Sequence, residues 1–139
     1  MKKTIVFLLL LWVCNDIFAI ESYQTRLKRA EVMQNRVDYF FYNTNSGSWS
    51  DDEIGAVIAT YGWLAVIFDE CVEKMTWLTE QQRHKYTLFA ETCGIQYERL
   101  SKLAYRFSGP TYSNVWNSFD KWLRFLQEDG NFISFRVRQ

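Results

Sequence analysis

The residues able to do acid–base or metal chemistry are few and scattered in this chain. His84 is the sole histidine among 139 residues, and it lies in a polar run over residues 80–85. A single imidazole does not make a histidine-rich metal site, and the sequence has no Cys-x-x-Cys pair. No nucleophile or orienting acid is spaced around His84 as a catalytic base requires. We therefore expect an exposed His84, no metal and no cofactor.

The carboxylates are better explained by helix ends than by catalysis. Asp69 and Glu73 share a helix face by their spacing of four, with Glu70 beside them, and such a group can act as acid and base or bind a hard cation. A lysine follows directly, however, and acids are common at the polar end of a helix. Glu91 and Glu98 lack the apolar neighbours that raise the pKa of a glycosidase acid. We expect a protein that is not an enzyme, and a small secreted hydrolase is the third hypothesis.

The N-terminus has the pattern of a secretory signal. Lys2 and Lys3 precede an apolar run over residues 5–13, and Ala19 is a small residue at a suitable cleavage point. The run is much shorter than the ~20 residues of a spanning helix. We predict a signal peptide over residues 1–19 and a single helical domain over residues 20–139, periplasmic or secreted. The alternative is a retained anchor, as in a membrane-attached regulator.

The charge balance bears on the class of partner. Lys and Arg together equal Asp and Glu in number, and cleavage of the leader leaves one excess acidic residue. A near-neutral protein lacks the basic footprint of a nucleic-acid binder and any strong attraction to an anionic membrane. We predict no nucleic-acid partner and no stable membrane span after cleavage.

Four segments have helical periodicity, over residues 21–42, 54–68, 79–107 and 112–128. Ser50 and Glu53 form a capping box before the second segment, and Thr79 with Gln82 gives a similar signal before the third. The second segment is apolar on every side, which is typical of a helix buried by several neighbours. We predict an all-α fold, with about four helices in a compact bundle around a buried central helix. Gly94 leaves open whether the third segment is one helix or two.

The last residues alternate apolar and basic side chains, from Ile133 through Phe135 to Arg136 and Arg138. This is a strand pattern without an evident strand partner in the chain. We predict a short extended C-terminal tail that lies over a groove or pairs with another chain by edge addition. A dimer formed through the tail stays open.

Two cysteines follow the leader, Cys71 and Cys93. An even count in an oxidising compartment predicts one disulfide, which would stabilise the fold by roughly 3 kcal/mol. A helical hairpin turning at Thr79 would instead place Cys71 opposite about residue 87. A Cys71–Cys93 bridge needs a turn centred near Gln82, and the alternative is a pair of buried free thiols.

The absence of catalytic signals favours a binding protein. The leading hypothesis is an exported, periplasmic protein that acts through a protein partner, such as an inhibitor or immunity-type protein. Trp49 lies in a polar loop, where it is either a binding hot spot or a hydrophobic staple onto Ile54. The predicted partner-binding residues are Trp49, Asp51, Asp52, Phe135, Arg136 and Arg138.

The second hypothesis is a carrier of a small apolar ligand, held in a cavity between helices. Gly55, Gly62 and Gly94 would make room for the cavity, and Phe and Trp side chains would line it.

Overall fold

The computed structural model describes residues 16–128, with side chains from Tyr23 onwards, together with Ile133 and Phe135. Four α-helices account for most of this part of the chain. They are α1 (Asp16–Asn43), α2 (Asp51–Lys74), α3 (Glu80–Ala104) and α4 (Gly109–Gln127), with a short 3-10 helix (Ser46–Ser48) between α1 and α2. The all-α prediction is confirmed. Most of the predicted leader lies outside the described residues, and α1 already begins at Asp16, so its backbone is helical through the predicted cleavage point.

The helix starts follow the local chemistry of the sequence. The backbone N–H of Glu53 donates to Ser50 Oγ at 3.1 Å, and the N–H of Ser50 donates to Glu53 Oε1 at 2.9 Å. Thr79 and Gln82 form the same reciprocal pair before α3. Each box satisfies two donors that a helix N-terminus otherwise leaves without a partner, so both helices begin where the sequence predicts.

The central helix is α2, which packs against α1, α3 and α4, whereas direct contacts among those three are sparse. Its side chains are buried almost continuously from Gly55 to Leu64. Within the described residues α2 is also the one helix long and apolar enough to cross a membrane, but 67% of its apolar window is buried inside the fold. Its hydrophobicity is therefore accounted for by its neighbours in the bundle.

Helix α3 runs unbroken through Gly94, so the two-helix alternative is excluded. A Cβ atom at Gly94 would meet only the Cβ of Ala65, at 4.0 Å. Gly94 therefore neither breaks α3 nor permits a close helix contact. Its effect on stability is the intrinsic free-energy cost of a glycine inside a helix.

The predicted disulfide is wrong: Cys71 and Cys93 are buried free thiols. Because α2 ends at Lys74 and α3 begins at Glu80, the turn comes too early in the chain for the bridge. Cys71 therefore lies near Tyr86 of α3, and Cys93 lies near Tyr61 of α2. Tyr61 and Cys71 are ten residues apart on α2, about 15 Å along the axis. The Cα atoms of a disulfide lie within about 7 Å of each other.

Two described residues of the predicted tail, Ile133 and Phe135, pack on the core, and Phe135 does so near the C-terminal end of α1. Ile133 is 3% exposed, and the ring of Phe135 packs against that of Phe40 with centroids 5.3 Å apart. These two residues have neither helical nor strand structure. The other residues of the predicted tail lie outside the described part of the chain, so its predicted course stays a prediction.

Candidate functional site

An open cavity of about 520 Å³ lies where α4 separates from α2. The two helices come very close at Gly55, where a Cβ atom would lie 2.6 Å from the carbonyl oxygen of Val115 and 2.7 Å from the backbone nitrogen of Phe119. Farther along α2, the side chain of Val66 is exposed. We call this cavity the α2–α4 groove. Its described lining comprises Arg26, Gly62, Trp63, Ala65, Val66, Ile67, Glu70, Tyr97, Phe119, Leu123, Leu126 and Gln127.

The floor of the groove is apolar and accessible. Val66 is 63% exposed, which is high for a valine on the central helix of a bundle, whereas the neighbouring Trp63 is 6% exposed. Phe119, Leu123 and Leu126 of α4 form one wall. The stretch of α2 from Gly62 to Glu70 makes the floor about 12 Å long.

Gly62 shapes the aromatic end of the groove. A Cβ atom there would lie 2.9 Å from Cδ2 of Tyr97, so the glycine lets the Tyr97 ring lie directly on the backbone of α2. Tyr97 in turn contacts Phe119, with ring centroids 6.3 Å apart. Trp116 continues this row of rings at 5.4 Å from Phe119, and its Nε1 is buried without a hydrogen-bond partner.

The opposite end of the groove carries an ion pair. Arg26 Nη1 lies 3.3 Å from Glu70 Oε1, and the two side chains are 39% and 35% exposed. The guanidinium of Arg26 also lies 5.4 Å above the ring of Tyr23. Burial, and then the negative charge of Glu70, raise the pKa of Tyr23, so its hydroxyl stays protonated at neutral pH. The groove therefore ends in charged groups that neutralise each other.

Three of the residues predicted to bind a partner, Trp49, Asp51 and Asp52, make contacts within the fold. Trp49 is only 7% exposed: its ring lies 5.1 Å from that of Phe40, and its Nε1 donates to Thr44 Oγ1 at 2.7 Å. Its polar loop folds back because the N–H of Trp49 donates to the carbonyl of Ser46. Trp49 is thus a core residue of the described fold, which leaves little of its side chain accessible to a partner.

Asp51 and Asp52 hold α4 against the start of α2. Asn114 Nδ2 donates to Asp51 Oδ2 at 3.2 Å. Asp52 Oδ1 accepts from Lys121 Nζ at 2.6 Å and from Trp122 Nε1 at 3.1 Å. Partial burial alone would raise the pKa of Asp52, but hydrogen bonds, of which the one from Lys121 is the strongest, hold it below its ordinary value.

The remaining predicted positions are less informative. Phe135 is half-buried against Phe40, while Arg136 and Arg138 lie outside the described residues. His84 is exposed, as predicted. Among the side chains that the structure describes, no group of three or more His, Cys, Asp or Glu residues could hold a metal ion.

Sequence reasoning predicted a cavity between helices with Gly62 making room, but it did not place that cavity between α2 and α4. Gly55 makes room for a helix backbone rather than for a ligand, and Gly94 faces Ala65. The one local signal for the groove is Val66, an apolar residue on the uncovered side of an otherwise buried helix. Comparisons with protein-family models, with curated proteins and with solved structures find no match for this chain.

Proposed function

We propose that this protein binds and carries a small, predominantly apolar ligand in the α2–α4 groove. The observation that carries the proposal is the cavity of about 520 Å³ over an apolar floor. Ligand sites in proteins typically measure ~300–1,000 Å³ and combine apolar walls with a few polar groups, as this groove does.

The exposure of Val66 adds to this argument. Its side chain is 63% exposed at the middle of the floor, between the Tyr97 end and the Glu70 end. A ligand lying there would remove apolar surface of both partners from water, at roughly 25 cal/mol for each Å². Trp49 offers a protein partner little such surface, because its side chain is already buried in the fold.

The test is binding of N-phenyl-1-naphthylamine, an uncharged apolar dye whose fluorescence rises in an apolar site. We expect saturable binding at a single site. Val66→Glu places a charge on the floor and should weaken binding at least tenfold, which is about 1.4 kcal/mol. The matched control is Ile95→Glu, because Ile95 is 56% exposed on α3 and is not among the lining residues. Absence of saturable binding, or equal losses in the two variants, would contradict the proposal.

A protein partner, of the inhibitor or immunity type, is the second candidate function. The observation that favours it is a set of exposed leucine and isoleucine side chains on α3: Leu88 (46%), Ile95 (56%) and Leu103 (43%). Their spacings of seven and eight place them on one side of the helix, as in helices that dock onto partners. Native mass spectrometry of the protein from its own compartment should then reveal a stoichiometric second polypeptide that Ile95→Glu loses and Val66→Glu keeps. Bare protein from wild-type cells would count against this candidate.

Export belongs to the same proposal, because a carrier of apolar molecules is needed where they cross an aqueous compartment. It is supported by the basic start, the short apolar run and the small residue at Ala19. N-terminal sequencing of the natural protein should begin at Ile20. A sequence beginning at Met1 would support the anchored alternative.

A further inference from the structure

The polar end of the α2–α4 groove restricts the charge of what binds there. Arg26 and Glu70 are the two charged side chains among its described lining residues, and they lie 3.3 Å apart. Gln127, also in the lining, adds an uncharged amide. A ligand head that reaches this end therefore meets both signs of charge at once.

A charged head is at a disadvantage in this place. An anion close enough to bond to Arg26 also lies beside the carboxylate of Glu70, and a cation close to Glu70 lies beside the guanidinium. An uncharged head avoids both repulsions. A guanidinium presents five N–H donors and a carboxylate about four acceptor sites, so each member of the pair keeps capacity beyond its bond to the other.

We infer that the ligand is an uncharged amphipath, with an apolar body of roughly the 12 Å length of the floor and a head that both accepts and donates hydrogen bonds, such as a primary amide or an alcohol. The head accepts from Arg26 and donates to Glu70, while the body lies over Val66 towards Tyr97. This inference rests on the proposed function, because it assigns a ligand class to the same groove.

The test uses three probes of equal chain length: decanamide, decanoate and decylamine. Each competes with N-phenyl-1-naphthylamine for the wild-type protein at neutral pH. We expect decanamide to displace the dye at a concentration at least five- to tenfold below that of either charged probe. Preference for decanoate or decylamine, or equal displacement by all three, would overturn the inference.

Two variants ask whether the ion pair sets this preference. Glu70→Gln leaves the charge of Arg26 unopposed and should shift the preference towards decanoate by about tenfold. Arg26→Gln should shift it towards decylamine to a similar extent. The fold should survive both changes, because a half-exposed ion pair contributes little to stability.

A charge-swapped double variant, Arg26→Glu with Glu70→Arg, is the control, because it keeps a neutral pair and should restore the preference for decanamide. Unchanged preferences in all variants would show that the Arg26–Glu70 pair does not determine which head group is bound. Failure of the dye itself to bind would reject the proposed function, whereas dye binding without the charge preference rejects only the ligand class.

Discussion

The backbone of α2 at Gly55 lies so close to α4 that a Cβ atom there would be 2.6 Å from the carbonyl oxygen of Val115. The obstructing atoms include backbone atoms of α4, so no side chain can rotate away to relieve the contact. This crossing is held on one side by Asp52, which accepts from Lys121 and Trp122. The α2–α4 groove begins where the two helices separate beyond it.

Gly55→Ala should therefore destabilise the protein even though alanine is the better helix former. The methyl group must push α4 outwards, and overpacking of this kind costs about 1–3 kcal/mol. Gly94→Ala is the matched control, since a Cβ atom there meets nothing closer than 4.0 Å. That change should stabilise the protein by up to about 1 kcal/mol through helix propensity. Urea unfolding measures both changes, and two shifts of the same sign would contradict the close crossing.

The two buried cysteines should be present as unreactive thiols. Burial, and then the negative charge of Glu70, raise the pKa of Cys71 to about 11, and burial, and then the charge of Asp38, raise the pKa of Cys93 to about 12. Since the thiolate is the reactive form, alkylation of the native protein at pH 8 should be slow at both positions.

Unfolding without reductant separates this prediction from a disulfide. The denatured chain should take up one alkyl group at Cys71 and one at Cys93, as measured by intact mass. A third alkyl group would mark a chain that keeps Cys14 and hence its N-terminal segment. No uptake until a reductant is added would mean that the cysteines are bonded after all.

Trp49 should matter for folding rather than for binding. Its indole is 7% exposed against Phe40, and truncation of a buried aromatic residue typically costs about 3–5 kcal/mol. Trp49→Ala should lower the free energy of unfolding by that order. Trp77→Ala is the control, because Trp77 is 42% exposed and should cost much less. Similar losses for the two tryptophans in chemical unfolding would contradict a core role for Trp49.

The parts of the fold that sequence reasoning predicted depend on neighbouring residues. The capping boxes at Ser50 and Thr79 each involve residues three positions apart. The apolar character of α2 follows from the composition of its segment alone. These signals were sufficient for the helix starts, the central helix and the fold class.

The errors concern how the helices lie against each other. The Cys71–Cys93 prediction depended on the register of α2 against α3. That register is set by where the turn of a few residues between the two helices falls. The groove depends on how α2 and α4 pack against each other away from Gly55, and the sequence pattern of either helix does not specify that packing. The two interpretations of Trp49 could not be separated from the sequence, because its burial depends on contacts with Phe40 and Thr44 of the preceding helix and loop.

Asp52 should make stability depend on acidity. Its pKa in the folded protein lies below the ordinary value, so the folded state holds this proton less tightly than the unfolded state does. The stabilisation is therefore complete above the unfolded pKa of about 3.9 and is lost as the pH falls below it. Asp52→Asn should lower the thermal midpoint at pH 7 and change it little at pH 3. Asp120→Asn, on the exposed side of α4, is the control. If the thermal midpoints of wild type and Asp52→Asn change in parallel with pH, the role of Asp52 is contradicted.

Asp38 should make stability depend on pH in the direction opposite to Asp52. Tyr61 donates a hydrogen bond to Asp38 Oδ1 at 2.8 Å, but burial outweighs this bond and raises the pKa of Asp38. The folded state thus binds this proton more tightly, and its stability falls as the pH rises through the raised pKa. Asp38→Asn keeps an acceptor for Tyr61 without the buried charge, so it should be neutral or slightly stabilising at pH 7. Tyr61→Phe removes the donor and should cost about 1 kcal/mol in thermal or urea unfolding. A large loss for Asp38→Asn at pH 7 would mean that the charge itself holds α1 against α2.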